Sequence, residues 1–504
     1  MIFLLIPVYY LSLTTPFRLI DDYSIWTIET NFFKYLSFSK EGRYLPVFDL
    51  LNEISWSLFR TDYSLHHLSR LIIKLITFLL IFRLGQELIP LKSKRHEWIS
   101  LVFVFAVYFF YPNNPEARLA PQELPGSFFM LLSTYFILTS HLNLKKIIFS
   151  LTGFIGFILV KESNIIIGFI LLIFVTYRLF YSPRYKYWLI PFFLIFIHTF
   201  VTIFLKTMTG GYGQSEITII LVGENLYSLL KFILLPGNSF DLFTFLFLLT
   251  APAFVVLKTF PILKKQITSL NFLTSNKEFV LIILMFLAAV FTFSLSWSSV
   301  LRYAYLPTII FHLIIFLSLR YIFSNYWSDS FFSKIHYFSL IFVFMVYPNF
   351  HYQFFLQNIA GKHENRLLSV IESKVNDGSL FLRDRGEYSN KILTYFTSYR
   401  EFFFPERSVL NISYEKPREE SKDYDFILTR KDIFVQRNLS EFGQHNITVI
   451  APTADLLPAY HSWLLKMNTW IHIRNWIGKG PKYLWRDSGS QYPFKWYLIK
   501  NRPE

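Results

Sequence analysis

Four groups of polar residues stand where long apolar segments end, and their types suit acid–base and phosphate chemistry. Asp21 and Asp22 follow the first apolar run. Glu116 and Glu123 lie in the Pro-rich segment 111–123, and Lys161 with Glu162 separates two tightly joined apolar runs. Arg302 precedes Tyr303 and Tyr305, and Arg43 adds a cation to the first loop. A carboxylate can take the proton of a hydroxyl nucleophile, and fixed cations can hold a phosphate while it leaves. Each group alone has an ordinary reading. An acidic pair can solvate an interface, Lys161 and Glu162 can neutralise one another in a turn, and an Arg among aromatics can anchor a helix end. Solvation, however, would scatter such residues over both ends of the apolar segments, whereas these all fall at one end.

The elements that must position them are read from composition. Of 504 residues, 53% are hydrophobic and 16% charged, against about 25% charged in a soluble domain. So little polar surface suits a shell of lipid. Apolar runs near the length that crosses a bilayer, about 20 residues, appear at 2–17, 66–84, 98–112, 124–140, 146–160, 164–181, 187–206, 240–257, 278–297, 303–319 and 333–350. The reading is an α-helical polytopic membrane protein of about eleven transmembrane helices, residues 1–351. A small α/β domain follows over 352–504, where the sequence turns polar around β-like runs at 379–383, 425–429 and 448–451. The first run has no basic segment before it and no small-residue cleavage site after it, so a span is expected there rather than a signal peptide.

Lys92, Lys94, Arg95, Lys145, Lys146, Arg178, Arg184, Lys186, Lys258, Lys264 and Lys265 fall in alternate loops. The positive-inside rule makes their side cytoplasmic. The four polar groups and the C-terminal domain are then extracytoplasmic, with a bacterial inner or plasma membrane as the expected location. Two segments on that side carry apolar stripes at helical spacing and are expected along the membrane surface: Val47, Phe48, Leu51, Ile54, Leu58, and Leu226, Leu229, Leu230, Ile233. The net charge of +15 is spread through loops, without the basic patch that nucleic acid requires. The absence of Cys excludes disulfides and thiolate metal sites. His66-His67 is expected as an interfacial turn, and neither a metal site nor a cofactor is expected.

Sugar transfer from a polyprenyl-phosphate donor needs this set of groups. The lipid tail lies in the bilayer, the phosphate requires cations as the anomeric bond breaks, and the acceptor hydroxyl requires a base. The ordered motifs Asp21-Asp22, Pro112 with Glu116, Lys161-Glu162 and Arg302-Tyr303-Ala304-Tyr305-Leu306-Pro307 resemble the GT-C glycosyltransferases, within them the protein O-mannosyltransferase-like branch. The resemblance covers roughly residues 1–350. It implies an inverting transferase with Asp21 as general base beside Asp22, and with Lys161, Arg302 and Tyr303 holding the donor phosphate. Arg43, Glu116, Glu123, Glu162 and Tyr305 would shape the site or receive the acceptor, which can be a glycan, a lipid or a protein. The acid that often precedes the Arg-Tyr motif is Leu301 here, and tetratricopeptide repeats are absent. Two other functions compete: a polysaccharide polymerase or ligase using polyprenyl-diphosphate glycans, and a flippase for lipid-linked sugars. A flippase should show related halves, and none is visible.

Overall fold

A backbone deprived of water must bond its amides internally, so apolar runs of this length become helices. The computed structural model of the protein is a helix bundle joined to a small sheet. It describes residues 1–17, 45–110, 122–139, 144–179, 186–208, 219–234, 277–295, 304–325, 329–375, 379–382, 412–413, 425–429, 447–450 and 496–500. The helices are α1 (Ile2–Leu13), α2 (Pro46–Phe59), α3 (Tyr63–Leu88), α4 (Lys94–Phe110), α5 (Glu123–Leu138), α6 (Leu144–Val160), α7 (Ile165–Leu179), α8 (Lys186–Met208), α9 (Ile219–Leu234), α10 (Lys277–Leu295), α11 (Tyr305–Asn325) and α12 (Asp329–Val375).

Ten of the expected spans coincide with described helices, and 240–257 lies outside the described residues. Among the described residues one helix, through its window Lys277–Ser294, is long and apolar enough by itself to cross a bilayer. Shorter apolar stretches occur at Ile2–Leu13, Glu123–Leu138, Leu189–Phe204 and Tyr305–Tyr321. The first stripe forms α2, with Phe48 buried and Ile54 and Leu58 exposed. The second forms α9, where Leu229 and Ile233 are buried and which packs on α10.

One large apolar core runs through the bundle, contributed by α1, α3–α11 and the middle of α12. Its tightest crossing joins α5 to α6. A Cβ on Gly153 would lie 2.6 Å from Ser133 N and 2.8 Å from Phe129 O, and a Cβ on Gly156 would strike the Phe129 ring. Small residues one turn apart let two backbones approach as closely as membrane helices do.

α1 and α12 run parallel: Tyr9 packs on Phe354, Asn358 Nδ2 donates to Leu11 O, and Asn365 Nδ2 donates to Phe17 O. α12 is 47 residues long and continues through Pro348 and past residue 352, where the sequence turns polar. Beyond it, β1 (Leu380–Leu382), β2 (Ile412–Ser413), β3 (Phe426–Thr429), β4 (Ile447–Ile450) and β5 (Trp496–Lys500) form a mixed sheet in the order β2-β1-β3-β5-β4. β1 pairs in parallel with β2 and β3, while β5 is antiparallel to β3 and β4. Asp425 fastens its start, accepting from Ser379 N and Oγ, each at 2.8 Å.

Candidate functional site

The C-terminal end of α1, the N-terminal ends of α3, α5 and α11, and the turn between α6 and α7 share one end of the bundle. α2 lies across that end. Its Phe48, with Leu45, packs on Val160 at the end of α6, and the Arg70 guanidinium of α3 sits 5.9 Å from the same Phe48 ring. Arg70 also donates to Asn52 of α2 at 3.5 Å. Thus Phe48 separates the Arg70 cation from the segment that begins at Lys161.

Lys161 is extended, with φ −160° and ψ 133°, so α6 stops at Val160 and one 3-10 turn, Glu162–Asn164, leads into α7. Asn164 Nδ2 donates to Phe157 O at 2.8 Å, satisfying a carbonyl that the end of α6 would otherwise orphan. Gly126 allows this turn to approach α5, since a Cβ there would lie 3.2 Å from Val160 and 3.4 Å from Asn164. The approach delivers Lys161 Nζ to Glu123 Oε1 at 2.5 Å, with both side chains buried. The Phe293 ring of α10 lies 5.2 Å from the same ammonium. Glu123 also occupies the first turn of α5, where the helix dipole favours an anion. Its Oε2 is buried with no hydrogen-bond partner among the described residues, and the buried Ser163 Oγ is in the same condition.

One helical turn below Arg70, Lys74 is fully buried, 5.6 Å from the Tyr108 ring and 5.2 Å from that of Phe109. Tyr108 Oη lies 3.4 Å from Tyr305 Oη, which ties α4 to the start of α11, and His312 of α11 is buried. Cations so far inside an apolar bundle are costly, and they mark function by default.

The exit of α1 is held from two sides. Asn358 Nδ2 reaches Leu11 O at 2.9 Å, Thr14 Oγ1 at 3.1 Å and Thr15 Oγ1 at 3.3 Å. Ser64 Oγ donates to Leu13 O, and His67 Nε2 lies 3.1 Å from Thr15 O. His66 contacts Ser55 Oγ at 2.8 Å and Arg60 O at 2.9 Å. The two histidines therefore belong to the first turns of α3, which Asp62 caps, and join neighbouring elements rather than forming an interfacial turn. Among the described residues no group of three or more His, Asp or Glu could hold a metal.

Of the expected site residues, Lys161, Glu123, Glu162 and Tyr305 lie at this end, and Lys161 meets Glu123. Asp21, Asp22, Arg43, Glu116, Arg302 and Tyr303 lie outside the described residues. Lys161 pairs with Glu123 of α5, 38 residues earlier in the chain. Sequence reading passed over Arg70 and Lys74. Their signal was two cations four residues apart on one face of a helix whose following run, residues 75–82, is almost wholly apolar.

At the opposite end, Arg320 of α11 is buried and donates to Glu97 Oε1 at 2.6 Å and Oε2 at 2.8 Å, to Ile89 O at 2.9 Å and to Ser100 Oγ at 3.0 Å. Burial alone would raise the Glu97 carboxyl. The bonds and charge of Arg320, with help from Gln86 and the Leu91 amide, outweigh it and hold the group below its ordinary value. This pair fastens α4 to α11 away from the candidate site.

No family model matches the chain, and no curated protein matches it. Solved structures that resemble it over most of its length include two of one protein. One is ArnT from Cupriavidus metallidurans bound to undecaprenyl phosphate, 12% identical, with 89% of this chain and 95% of that one covered and a TM-score of 0.46. The other is ArnT from the same organism in the apo state, 11% identical, with 88% and 94% covered and the same TM-score. A likeness this distant says nothing about substrate or mechanism, so the functional reading rests on the residues of the chain itself.

Proposed function

We propose that the protein is an integral membrane glycosyltransferase of GT-C type that moves a sugar from a polyprenyl-phosphate donor to an acceptor hydroxyl. The observation that carries this reading is the burial of three cations, Arg70, Lys74 and Lys161, on the α3 and α6–α7 segments toward the bundle end where α1 terminates. Phosphate on a lipid tail approaches from an apolar medium, where charge-assisted hydrogen bonds are short and strong. Lys161, Arg302 and Tyr303 would hold the phosphate, with Arg70 and Lys74 adding positive potential along its approach. The acceptor hydroxyl attacks the anomeric carbon from the face opposite the phosphate. Its proton passes to Asp21, the C1–O bond breaks, and polyprenyl phosphate leaves as an anion, inverting the centre. Asp22 orients its neighbour, and Glu116 faces the acceptor.

Base assistance of this kind is worth about 10²–10⁴-fold. Asp21→Asn keeps the side-chain shape and should abolish transfer from a synthetic polyprenyl-phosphate hexose while expression and polyprenyl-phosphate binding stay near wild type. Asp22→Asn should be milder. Full transfer by the double Asn variant would remove Asp21 and Asp22 from the mechanism, whereas absence of transfer by the wild type would leave the flippase reading ahead.

A further inference from the structure

The ion pair at the α6–α7 turn has a side that its own partners do not use. Glu123 spends Oε1 on Lys161, and Oε2 remains buried without a hydrogen-bond partner among the described residues. Ser163, two residues after Lys161, carries a buried hydroxyl in the same condition. The approach permitted by Gly126 brings the first turn of α5 against the turn 161–164. An acceptor oxygen and a hydroxyl that both donates and accepts are therefore carried by the two segments of one contact, α5 and the turn 161–164, with the Phe293 ring beside the Lys161 ammonium. A carboxylate oxygen left in this condition costs the desolvation of its lone pairs, a cost repaid when a ligand donates to it.

Lys161 already neutralises Glu123, and its ammonium lies 2.5 Å away, so a second cation would be repelled. A neutral donor fits. From this arrangement we infer that Glu123 Oε2 and Ser163 Oγ bind one hydroxyl of the transferred sugar, so that Lys161, Glu123 and Ser163 read sugar identity next to the donor phosphate. The inference rests on the transferase reading above. Lys161 then serves twice: one N–H holds Glu123 in place, and its charge lies beside the donor phosphate. A sugar lacking that hydroxyl would strand the carboxylate oxygen, and sites built to bond a hydroxyl discriminate more strongly than apolar pockets.

The test uses the full chain in detergent with a synthetic polyprenyl-phosphate hexose and its set of single-deoxy analogues. Wild type should prefer the parent donor over one deoxy analogue by about tenfold or more in kcat/KM. Glu123→Gln keeps the shape and an acceptor for Lys161, and Ser163→Ala removes only the hydroxyl. Both should slow transfer of the parent sugar and leave that one deoxy analogue nearly unaffected, collapsing the preference. Equal losses on the parent and every deoxy analogue would overturn the subsite and leave Glu123 as a structural partner of Lys161, while the transferase reading stands. Absence of transfer from all these donors, with polyprenyl phosphate still bound, would overturn the transferase reading and the subsite together.

Discussion

Arg320 is the largest buried charge at the end of the bundle away from the candidate site, and its four hydrogen bonds explain how the fold tolerates it. Breaking a buried pair by removing one partner commonly costs about 3–5 kcal/mol, because the other charge is left stranded. Arg320→Met should therefore lower the thermal unfolding temperature sharply in detergent, and Arg320→Met with Glu97→Leu should recover most of the loss. Recovery of nothing would mean that the bonds to Ile89 and Ser100 dominate. The depressed Glu97 carboxyl adds a pH signature. Its stabilising contribution is full above the ordinary Glu value of about 4.3 and disappears as pH falls through the lower folded value. The variant lacking both charges should lose that acid-side dependence. At the other end, Lys161→Ala should weaken donor use by at least about tenfold, the equivalent of about 1.4 kcal/mol in a barrier. Unchanged donor kinetics would return Lys161 to a purely structural role with Glu123.

Helices in this chain act as brackets for those residues, and the α5–α6 crossing is the most demanding bracket. Gly153→Leu would drive a side chain into the Ser133 backbone, which cannot yield as a flexible side-chain tip could. It should separate the helices that carry Glu123 and Lys161, reducing both folded yield and activity, whereas Gly223→Leu, where a Cβ meets nothing within 4 Å, should leave folded yield unchanged. Positions of helices were legible because apolar runs near bilayer length leave few alternatives. The pairing of Glu123 with Lys161 was not, because the two are 38 residues apart and only the packing at Gly126 makes them neighbours. Arg70 and Lys74 were hidden by the apolar average of their own helix. β2 and β5 escaped for different reasons: the first spans two residues, and the second, Trp496–Lys500, finds its partners about 50 and 70 residues earlier in the chain. The onset of polar sequence at 352 resembled a boundary, yet the same stretch supplies Asn358 and Asn365, whose amides grip the end of α1. These two polar residues serve another helix rather than solvent. Asn358→Ala should consequently lower kcat more than it lowers polyprenyl-phosphate binding, with partial rescue by Gln, because it loosens the backbone leading to Asp21.

At the scale of the molecule, alternating basic loops and eleven expected spans predict a cytoplasmic N-terminus and an exterior C-terminus. A reporter fused after Glu504 should be active only on the exterior, and cytoplasmic activity would require a different number of crossings. α12 then sets a height. Its ten residues after Asn365, which bonds Phe17 O, extend about 15 Å at 1.5 Å per residue before the chain reaches the sheet. Under the proposed function the helix is a stalk rooted beside the exit of α1, with β4 of the sheet packed against it, extending past the level where a lipid-borne sugar would wait. Such a stalk is a ruler for whatever molecule must reach down to that sugar. Duplicating residues 366–372 would lengthen it by about two turns, roughly 10 Å, while nearly preserving the direction in which the sheet faces. If the proposed transferase reading holds, donor binding should be indifferent to the change, and the length of acceptor tolerated should increase with it.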